Sequence, residues 1–395
     1  MDLTFDEEQE MCRRAFREFM EKECPVEVVE AMETDPRGFS REIWGKMARL
    51  GWLDLGMNDE SGESGDAMTT TCILAEEMGR VLAPVPYVST AVMGARAVSV
   101  GAEEPARSRV LDSVGEGGCV IAAASTEGSR FDGLRTMRCE VRKSDGGYLL
   151  NGEKTFVEWA QVADYILLTA RVNGGTTALL VDRAEPGVTV SPLETMGAER
   201  FARVSFEGVR VDPALTLGNG GRGGISAAFE DAVVRGRVAL AARMLGGCDA
   251  VLEAAARYAR ERVQFSKPIG SFQAIAFRLA DLATDLAGAR LLVYKAAWTL
   301  DRGRPGASRL AAMAKAMTSD LYLKATDAGV HVYGGYGCML EYDVHHYYRR
   351  AKAEAMALGD AERCRAEMFG AHAEERAVRW ALPRQVEGAA LRMPG

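Results

Sequence analysis

The residues best suited to bind a ligand lie in the C-terminal third of the chain. Arg262 stands at the expected end of a long helix, where its guanidinium could pair with a pyrophosphate through charge-assisted hydrogen bonds. Phe265 could pack on a planar ring, and Gln273 could hydrogen-bond a base or a ribose. Further on, Gly334 and Gly335 offer backbone that a phosphate can approach closely. Taken singly, Arg262 is better explained as a solvated charge on a helix and Phe265 as a core residue. Only the occurrence of these residues together, in this order along the chain, favours a ligand-binding site.

The chain divides into three consecutive segments that differ in residue pattern. Residues 1–118 contain apolar residues at helical spacing, such as Phe16 and Met20. Residues 119–225 change to short β-type runs between Gly, Asn and Asp turns, a pattern typical of a small antiparallel barrel or sandwich. Residues 226–395 are helical and Ala-rich again over most of their length. The sequence therefore predicts an α+β protein with an N-terminal all-α domain, a central antiparallel β domain and a C-terminal α-helical bundle domain.

A glycine-rich segment over residues 218–224 precedes the last domain. Its composition is that of a phosphate loop, but no strand leads directly into it and no Gly-Lys-Ser or Gly-Lys-Thr follows. We interpret it as a flexible exit from the sheet.

Composition narrows the functional classes. With 395 residues the chain is long for one core, and 48% hydrophobic and 26% charged residues are typical of a globular protein. The net charge of −8 argues against non-specific binding of nucleic acid, which needs a basic surface. The eight cysteines are scattered, and the four histidines show no metal-ligand spacing. No apolar run approaches the roughly 18 residues of a membrane span. We therefore expect a cytoplasmic protein that binds no metal, membrane or nucleic acid.

The motifs of the chain resemble those of acyl-CoA dehydrogenases. Residues 262–270 are similar to the family's Arg-x-x-Phe-Gly-Lys-Pro-Ile, with Ser266 in place of the glycine. Residues 332–337 and 349–352 resemble its C-terminal signature, and the likeness extends to residues 3–9 at the N-terminus. The resemblance covers nearly the whole chain. It implies a flavoprotein oxidoreductase of lipid metabolism that dehydrogenates an acyl-CoA with FAD, with a four-helix bundle as its C-terminal domain.

The resemblance also implies roles for single residues. In the family, the counterparts of Arg262, Phe265 and Gln273 reach across a subunit interface to the FAD of the neighbouring chain. The predicted cofactor-binding set also includes Gly334, Gly335 and His331, which stands where many relatives have a glutamine and could still donate a hydrogen bond. Arg237 is a candidate CoA contact by position, although a helix-surface salt bridge explains it at least as well. The implied partners are an acyl-CoA or CoA-like ligand, a sister subunit or a second copy of the chain, and an electron-transfer flavoprotein.

Three departures from the family pattern fall around the expected flavin ring. Leu358 stands where many relatives carry the glutamate that removes the α-proton, and Gly236 occupies the base position of a second subgroup, just before Arg237. The flavin-binding loop, residues 126–132, lacks the family's proline and Gly-Ser step. Glu158 replaces a threonine that bonds the flavin, so it would add negative charge beside a ring that accepts hydride. A missing general base costs roughly 10²–10⁴ in rate, or about 3–5 kcal/mol. No catalytic residue is therefore predicted.

The chain departs from the family pattern around the flavin ring but keeps the motif that contains Arg262. This difference indicates that two unlike subunits each supply part of one FAD site. The leading hypothesis is similarity to the base-less subunits of heterotetrameric bacterial acyl-CoA dehydrogenases, including those that shorten sterol side chains. Such a subunit completes the FAD site of a partner chain. An alternative is a self-sufficient dehydrogenase with Asp360 as a displaced base, although Asp360 also suits a helix cap. Further candidate bases are Glu362, Glu354 and Glu230. A flavin-dependent oxygenase, which needs no α-proton base, and a non-catalytic scaffold remain open.

Overall fold

The computed structural model describes residues 4–55, 66–128, 137–144, 147–172, 175–197, 199–220 and 226–369. The predicted succession of helices, sheet and helices is confirmed, whereas the domain boundaries at residues 118 and 225 stay predictions. Across the described ranges, no helix is both long and apolar enough to cross a membrane.

The N-terminal part is helical. Its elements are α1 (Glu7–Glu23), α2 (Val26–Thr34), α3 (Arg41–Arg49), α4 (Ala67–Arg80), a π-helical segment (Val88–Gly94), α5 (Ala95–Gly101) and α6 (Ala106–Gly115). α1 begins with a capping box, because the Gln9 backbone N–H donates to Asp6 Oδ1 at 2.8 Å and the Gln9 side chain accepts from the Asp6 N–H. The predicted apolar positions Phe16 and Met20 are buried on its inner face.

The middle part is one mixed sheet. Its strands are β1 (Ile121–Ala124), β2 (Glu140–Ser144), β3 (Gly147–Glu158), β4 (Tyr165–Val172), β5 (Gly175–Asp182), β6 (Val188–Pro192), β7 (Phe201–Val211) and β8 (Thr216–Gly220). The order is β6-β7-β3-β2-β4-β5-β8, with β1 beside β4. Most pairs are antiparallel, as predicted, but β1 and β2 both run parallel to β4. The parallel pairing arises because the β2–β3 hairpin intervenes along the chain, which gives a connection long enough for a crossover.

The glycine-rich segment is not only a linker. Residues 216–220 form β8, which pairs with β5, so the prediction of a flexible exit was wrong at its start. Residues 221–225 lie outside the described part of the chain.

The C-terminal part begins with α7 (Ala227–Glu261). A hairpin of β9 (Val263–Gln264) and β10 (Lys267–Pro268) follows, and then come α8 (Gln273–Asp301), α9 (Ala307–Tyr333), α10 (Val344–Met356) and a helix over residues 361–369. α7 to α10 form the predicted bundle, and α4 lies against α7. A Cβ added to Gly79 would stand 1.8 Å from the Arg243 carbonyl oxygen, and one added to Gly246 would stand 1.8 Å from the Glu76 carbonyl oxygen. The two glycines therefore allow α4 and α7 to touch backbone to backbone.

Candidate functional site

A small cavity of about 70 Å³ lies where the N-terminal helices, the sheet and the C-terminal bundle meet. The π-helical segment, the end of β3, α7 and the turn after α10 all contribute to its wall. π-helical turns recur at functional sites. The polar part of the wall includes Thr126, Glu158 and Arg243, and the apolar part includes Met93 and Leu358.

Leu358 lines this cavity and Gly236 lies next to Leu358, so the two positions where relatives carry a base are neighbours. A Cβ added to Gly236 would lie 3.1 Å from Leu358 Cδ1 and 2.7 Å from the Met93 sulfur. A longer side chain at position 236 therefore has no room without repacking. Because leucine cannot accept a proton and glycine has no side chain, neither position offers a general base.

Two buried cations hold the turn that carries Leu358. The Arg237 Nε–H donates to the Leu358 carbonyl oxygen at 2.9 Å, and its Nη1 lies 2.6 Å from Glu367 Oε2. Lys315 Nζ donates to the carbonyl oxygens of Ala355 at 3.1 Å and Gly359 at 3.2 Å. Burial lowers the pKa of Lys315 to about 8. These contacts fix Leu358 in the left-handed region, at φ 55°. The CoA contact of Arg237 stays a prediction, and the burial of this side chain counts against it.

The proposed displaced bases do not line the cavity. Asp360 Oδ1 accepts from the Arg363 backbone N–H at 2.7 Å, so its carboxylate caps the helix that follows. Glu362 and Glu230 are exposed, and Glu354 is buried in an ion pair with Arg243. The capping interpretation of Asp360 thus agrees with its geometry.

Glu158 is half-buried beside four buried charged residues, and we name the five the charge cluster: Glu158, Glu199, Arg243, Arg350 and Glu354. Arg243 Nε lies 2.9 Å from Glu354 Oε1, and Arg350 Nε lies 2.8 Å from Glu199 Oε1. Neither Glu199 oxygen has an aligned hydrogen-bond donor among the described residues. Burial raises the pKa of Glu199 to about 7 and also raises the pKa of Glu158.

The loop expected to bind the flavin is tied to β3 where the structure describes it. Glu127 Oε1 lies 2.7 Å from Lys154 Nζ, and Thr155 Oγ1 donates to the Gly128 carbonyl oxygen at 2.6 Å. Residues 129–132 of this loop lie outside the described part of the chain.

Most of the predicted nucleotide-binding residues gather at the far end of the bundle, which we name the bundle end: residues 262–273 and 331–336. Phe265 and Ser266 form the two-residue turn between β9 and β10, with φ values of 54° and 64°. Positive φ at both central residues is the signature of a type I′ turn. This turn lifts the Phe265 side chain, which is 87% exposed. The Arg262 guanidinium carbon lies 5.7 Å from the centroid of the Tyr336 ring, so the hairpin and the glycine turn are neighbours.

The other residues of the bundle end are open as well. Gly334, at φ 63°, and Gly335 would each meet nothing within 4 Å if a Cβ were added. Gln273 begins α8 beside Phe272, whose ring centroid lies 6.1 Å from that of Phe265. His331 is exposed on the last turn of α9. Its part in cofactor binding, like that of the other five residues, stays a prediction.

The cavity and the bundle end lie far apart on one chain. Arg243 and Arg262 are separated by 19 positions, almost all of them in α7, which corresponds to about 28 Å at a rise of about 1.5 Å per residue. One chain therefore presents two separate surfaces rather than one converging site.

Comparisons with known proteins agree with this architecture. Residues 6–117, 119–209 and 222–390 match the N-terminal, middle and C-terminal domains of acyl-CoA dehydrogenases. The chain belongs to the acyl-CoA dehydrogenase family.

Two relatives illustrate the breadth of the family. The chain is 32% identical over 382 residues to a probable acyl-CoA dehydrogenase, YngJ, of Bacillus subtilis (strain 168), covering 92% of this chain and 97% of that protein. It is 31% identical over 372 residues to a 3-(aryl)acrylate reductase of Clostridium sporogenes, covering 91% and 97%. The solved ChsE4-ChsE5 complex from Mycobacterium tuberculosis matches with a TM-score of 0.83 at 26% identity, covering 95% of this chain and 99% of the matched chain.

Acyl-CoA dehydrogenases are FAD-dependent flavoprotein oxidoreductases, so the two surfaces can be tested against this cofactor. The bundle end fits the adenosine and pyrophosphate part, since it offers Arg262, an exposed aromatic ring and open glycine backbone. The cavity fits the flavin ring poorly, since Leu358 stands on its wall where many relatives carry the base. It also presents the Glu158 carboxylate.

Sequence reasoning missed Lys315 and most of the charge cluster. A signal for Lys315 was present, because Ala311, Ser319 and Tyr322 at helical spacing mark its face of α9 as buried. The cluster left no such signal, since its members come from β3, the approach to β7, α7 and α10.

Proposed function

We propose that this acyl-CoA dehydrogenase-family flavoprotein is a subunit without its own catalytic glutamate. It completes the FAD site of a partner chain by contributing the bundle end. The observation that carries this proposal is that Leu358 and Gly236 stand next to each other at the two usual base positions, where neither can take a proton.

The open bundle end supports the same function. Arg262 and the Phe265 ring are exposed in their own chain, so packing within the chain does not account for their positions. The I′ turn nevertheless holds the ring outward, although its positive φ values cost conformational energy. A partner that supplies the flavin face and the base would bury both residues against the adenosine half of FAD. The ChsE4-ChsE5 neighbour, a complex of two differently named chains, supports an assembly of unlike subunits.

Within such an assembly the substrate is an acyl-CoA thioester, and the reaction is its α,β-dehydrogenation with an electron-transfer flavoprotein as acceptor. The partner chain supplies the proton acceptor. The self-sufficient alternative loses its best candidate because Asp360 caps a helix. The cytoplasmic location stays a prediction.

The first test is the FAD content and acyl-CoA dehydrogenase activity of the chain purified alone and co-expressed with a family member that carries a glutamate at the position of Leu358. We expect a colourless, inactive lone chain and a yellow, active complex. A lone chain that is yellow and oxidises an acyl-CoA overturns the proposal.

The second test is Arg262→Ala in that complex. Loss of a charge-assisted contact to pyrophosphate should weaken FAD binding at least tenfold, corresponding to about 1.5–3 kcal/mol. Arg260→Ala, an exposed arginine on the same helix end, is the matched control and should leave FAD affinity unchanged. Equal FAD affinities of the two variants, measured by flavin fluorescence, would show that Arg262 of the bundle end does not contribute to FAD binding.

A further inference from the structure

A second cavity, of about 280 Å³, adjoins the bundle end between α7, the end of α4 and the turn before α10. We propose that this cavity binds a small organic cation, such as an alkylammonium, between tyrosine rings and carboxylates of its wall. A volume of this size admits a small organic molecule. None of the lining residues is among the six predicted cofactor contacts, so the inference goes beyond the proposed function and does not depend on it.

The first support is the aromatic part of the wall, which consists of three tyrosines: Tyr333, Tyr342 and Tyr347. The Tyr333 and Tyr342 ring centroids lie 5.5 Å apart with an interplanar angle of 67°, and Tyr258 stacks on Tyr333 at 4.2 Å. The Tyr333 hydroxyl donates to the Ala254 carbonyl oxygen at 3.4 Å. Packing and this hydrogen bond hold the rings in place before a ligand arrives. Aromatic rings attract ammonium groups through their quadrupole.

The second support is that only some of the wall's charges are compensated. Arg80 Nη2 lies 2.6 Å from Glu253 Oε2, and its Nη1 lies 3.6 Å from Asp249 Oδ2. Arg80 and Glu253 thus neutralise each other. Glu341 and Asp343, by contrast, have no ion-pair partner in the part of the chain that the structure describes. Two carboxylates of the wall are therefore available to a ligand.

The third support is the position of Asp343. It precedes α10 at the N-cap, where an aspartate usually accepts a hydrogen bond from the helix backbone, but its side chain makes no such bond. Its charge acts on the tyrosines instead. Burial raises the pKa of Tyr333 and of Tyr347, and the negative charge of Asp343 contributes to both shifts. The Asp343 carboxylate thus faces the aromatic part of the cavity.

The remaining charge of the wall is Arg257, which also has no ion-pair partner among the described residues. Two uncompensated carboxylates against one guanidinium favour a cation over an anion. The carboxylates of the wall do not form a group that could hold a metal ion. Aromatic rings suit a bulky organic ammonium, which is weakly hydrated and can lie against them.

The test compares two probes of the same shape, choline and the neutral alcohol in which a carbon atom replaces the choline nitrogen. Binding of each probe to the full chain is measured by isothermal titration calorimetry. We expect choline to bind at least about fivefold more tightly, because the aromatic rings and the carboxylates attract only the charged probe.

Four variants locate the site. Asp343→Asn should weaken choline binding about fivefold and leave the neutral alcohol unaffected. Tyr342→Leu keeps apolar bulk without the aromatic ring and should weaken choline binding about threefold. Arg257→Gln should tighten it about twofold, because a repulsive charge is removed. Asp285→Asn, at an exposed position on α8 outside the cavity wall, removes the same charge as Asp343→Asn and is the matched control without effect.

Equal affinities for choline and the neutral alcohol overturn the inference, and so does a choline affinity that the folded Asp343→Asn variant leaves unchanged. Weaker choline binding by Arg257→Gln would also contradict it, because a cation gains nothing from a neighbouring guanidinium. Circular dichroism establishes that each variant is folded, and if Asp343→Asn does not fold, Glu341→Gln takes its place. FAD enters none of these measurements, so failure of the proposed function leaves the result intact.

Discussion

The cavity and the bundle end are two half-sites of one chain with opposite physical character. The cavity is small and lined in part by charged residues, and its walls come from six separate parts of the sequence. The bundle end is exposed, its aromatic ring points outward, and its glycines meet open space. Because α7 separates them by about 28 Å, changes in one should not alter the other, as mutations more than about 10 Å apart are usually additive. A chain of this kind can lose one half-site and keep the other intact.

The largest effect should come from Gly246, where α7 packs closely on α4. Gly246→Ala forces a Cβ to within 1.8 Å of the Glu76 carbonyl oxygen, so α4 and α7 must move apart. We expect a loss of about 3 kcal/mol or more in the free energy of unfolding, at the upper end of overpacking costs. Urea unfolding followed by circular dichroism measures it.

The matching change on the open side is Gly335→Ala, whose Cβ would meet nothing within 4 Å. We expect less than about 0.5 kcal/mol on stability, as for an ordinary surface substitution. In the complex with a sister subunit, the same change should weaken FAD binding, because the added methyl keeps the cofactor from the backbone. Equal destabilisation by the two alanines would refute the contrast between the close α4–α7 contact and the open bundle end.

A pH-dependent effect on stability, similar in size to that of Gly246→Ala, should come from the charge cluster. The pKa of Glu199 is about 7 in the folded chain, against an ordinary value of 4.5. The groups that face it are Arg350 and Glu354 on α10, Glu158 on β3 and, behind them, Arg243 on α7. A carboxyl that binds its proton more tightly when folded contributes stability that is complete below pH 4.5 and is lost as the pH rises to about 7. The shift corresponds to about 3 kcal/mol.

Glu199→Gln should abolish this decline, because the amide does not titrate. The free energy of unfolding, measured by urea titration between pH 4.5 and 8, should fall with pH in the wild type and stay flatter in the variant. Glu194→Gln, at an exposed position five residues earlier, should keep the wild-type slope. A wild type whose stability rises over this range would contradict the burial argument.

Much of the fold followed from local sequence patterns. Helical spacing of Phe16 and Met20 predicted α1, and short β-type runs between turn residues predicted most of the sheet. β2 was missed because its residues, Glu140–Ser144, are mostly polar or charged, and β8 was missed because its glycines suggested a linker. In both strands the pairing with a neighbour outweighs the weak local preference.

The candidate site was predictable only where its residues are neighbours in sequence. The Arg262–Phe265 hairpin and the Gly334-Gly335 turn each form one local unit, and the structure brings them together. The family pattern indicated that Leu358 and Gly236 leave both base positions empty, but not that Leu358 would lie so close that a Cβ at position 236 has no room. The charge cluster could not be predicted from the sequence, because its members lie on β3, α7 and α10 and no periodic pattern relates residues of different elements.

The smallest effect should come from the turn that lifts Phe265. Ser266 has φ 64°, which costs a residue with a Cβ about 1–2 kcal/mol, and the family motif has glycine there. Ser266→Gly removes this cost but gives the unfolded chain more freedom, worth about 0.5–1 kcal/mol. We therefore expect a net gain of about 0.5 kcal/mol in the free energy of unfolding, with FAD affinity of the complex unchanged because Arg262 and Phe265 remain.

Ser271→Gly is the matched control for this turn. Ser271 lies five residues later in a short 3₁₀ turn without a positive φ, and its hydroxyl donates to the Pro268 carbonyl oxygen at 2.7 Å. Glycine there relieves no strain, so the free energy of unfolding should fall by about 0.5–1 kcal/mol. If both serines respond with the same sign in urea unfolding, the I′ turn stores no strain. Strain in the I′ turn would then not explain why the Phe265 side chain points outward.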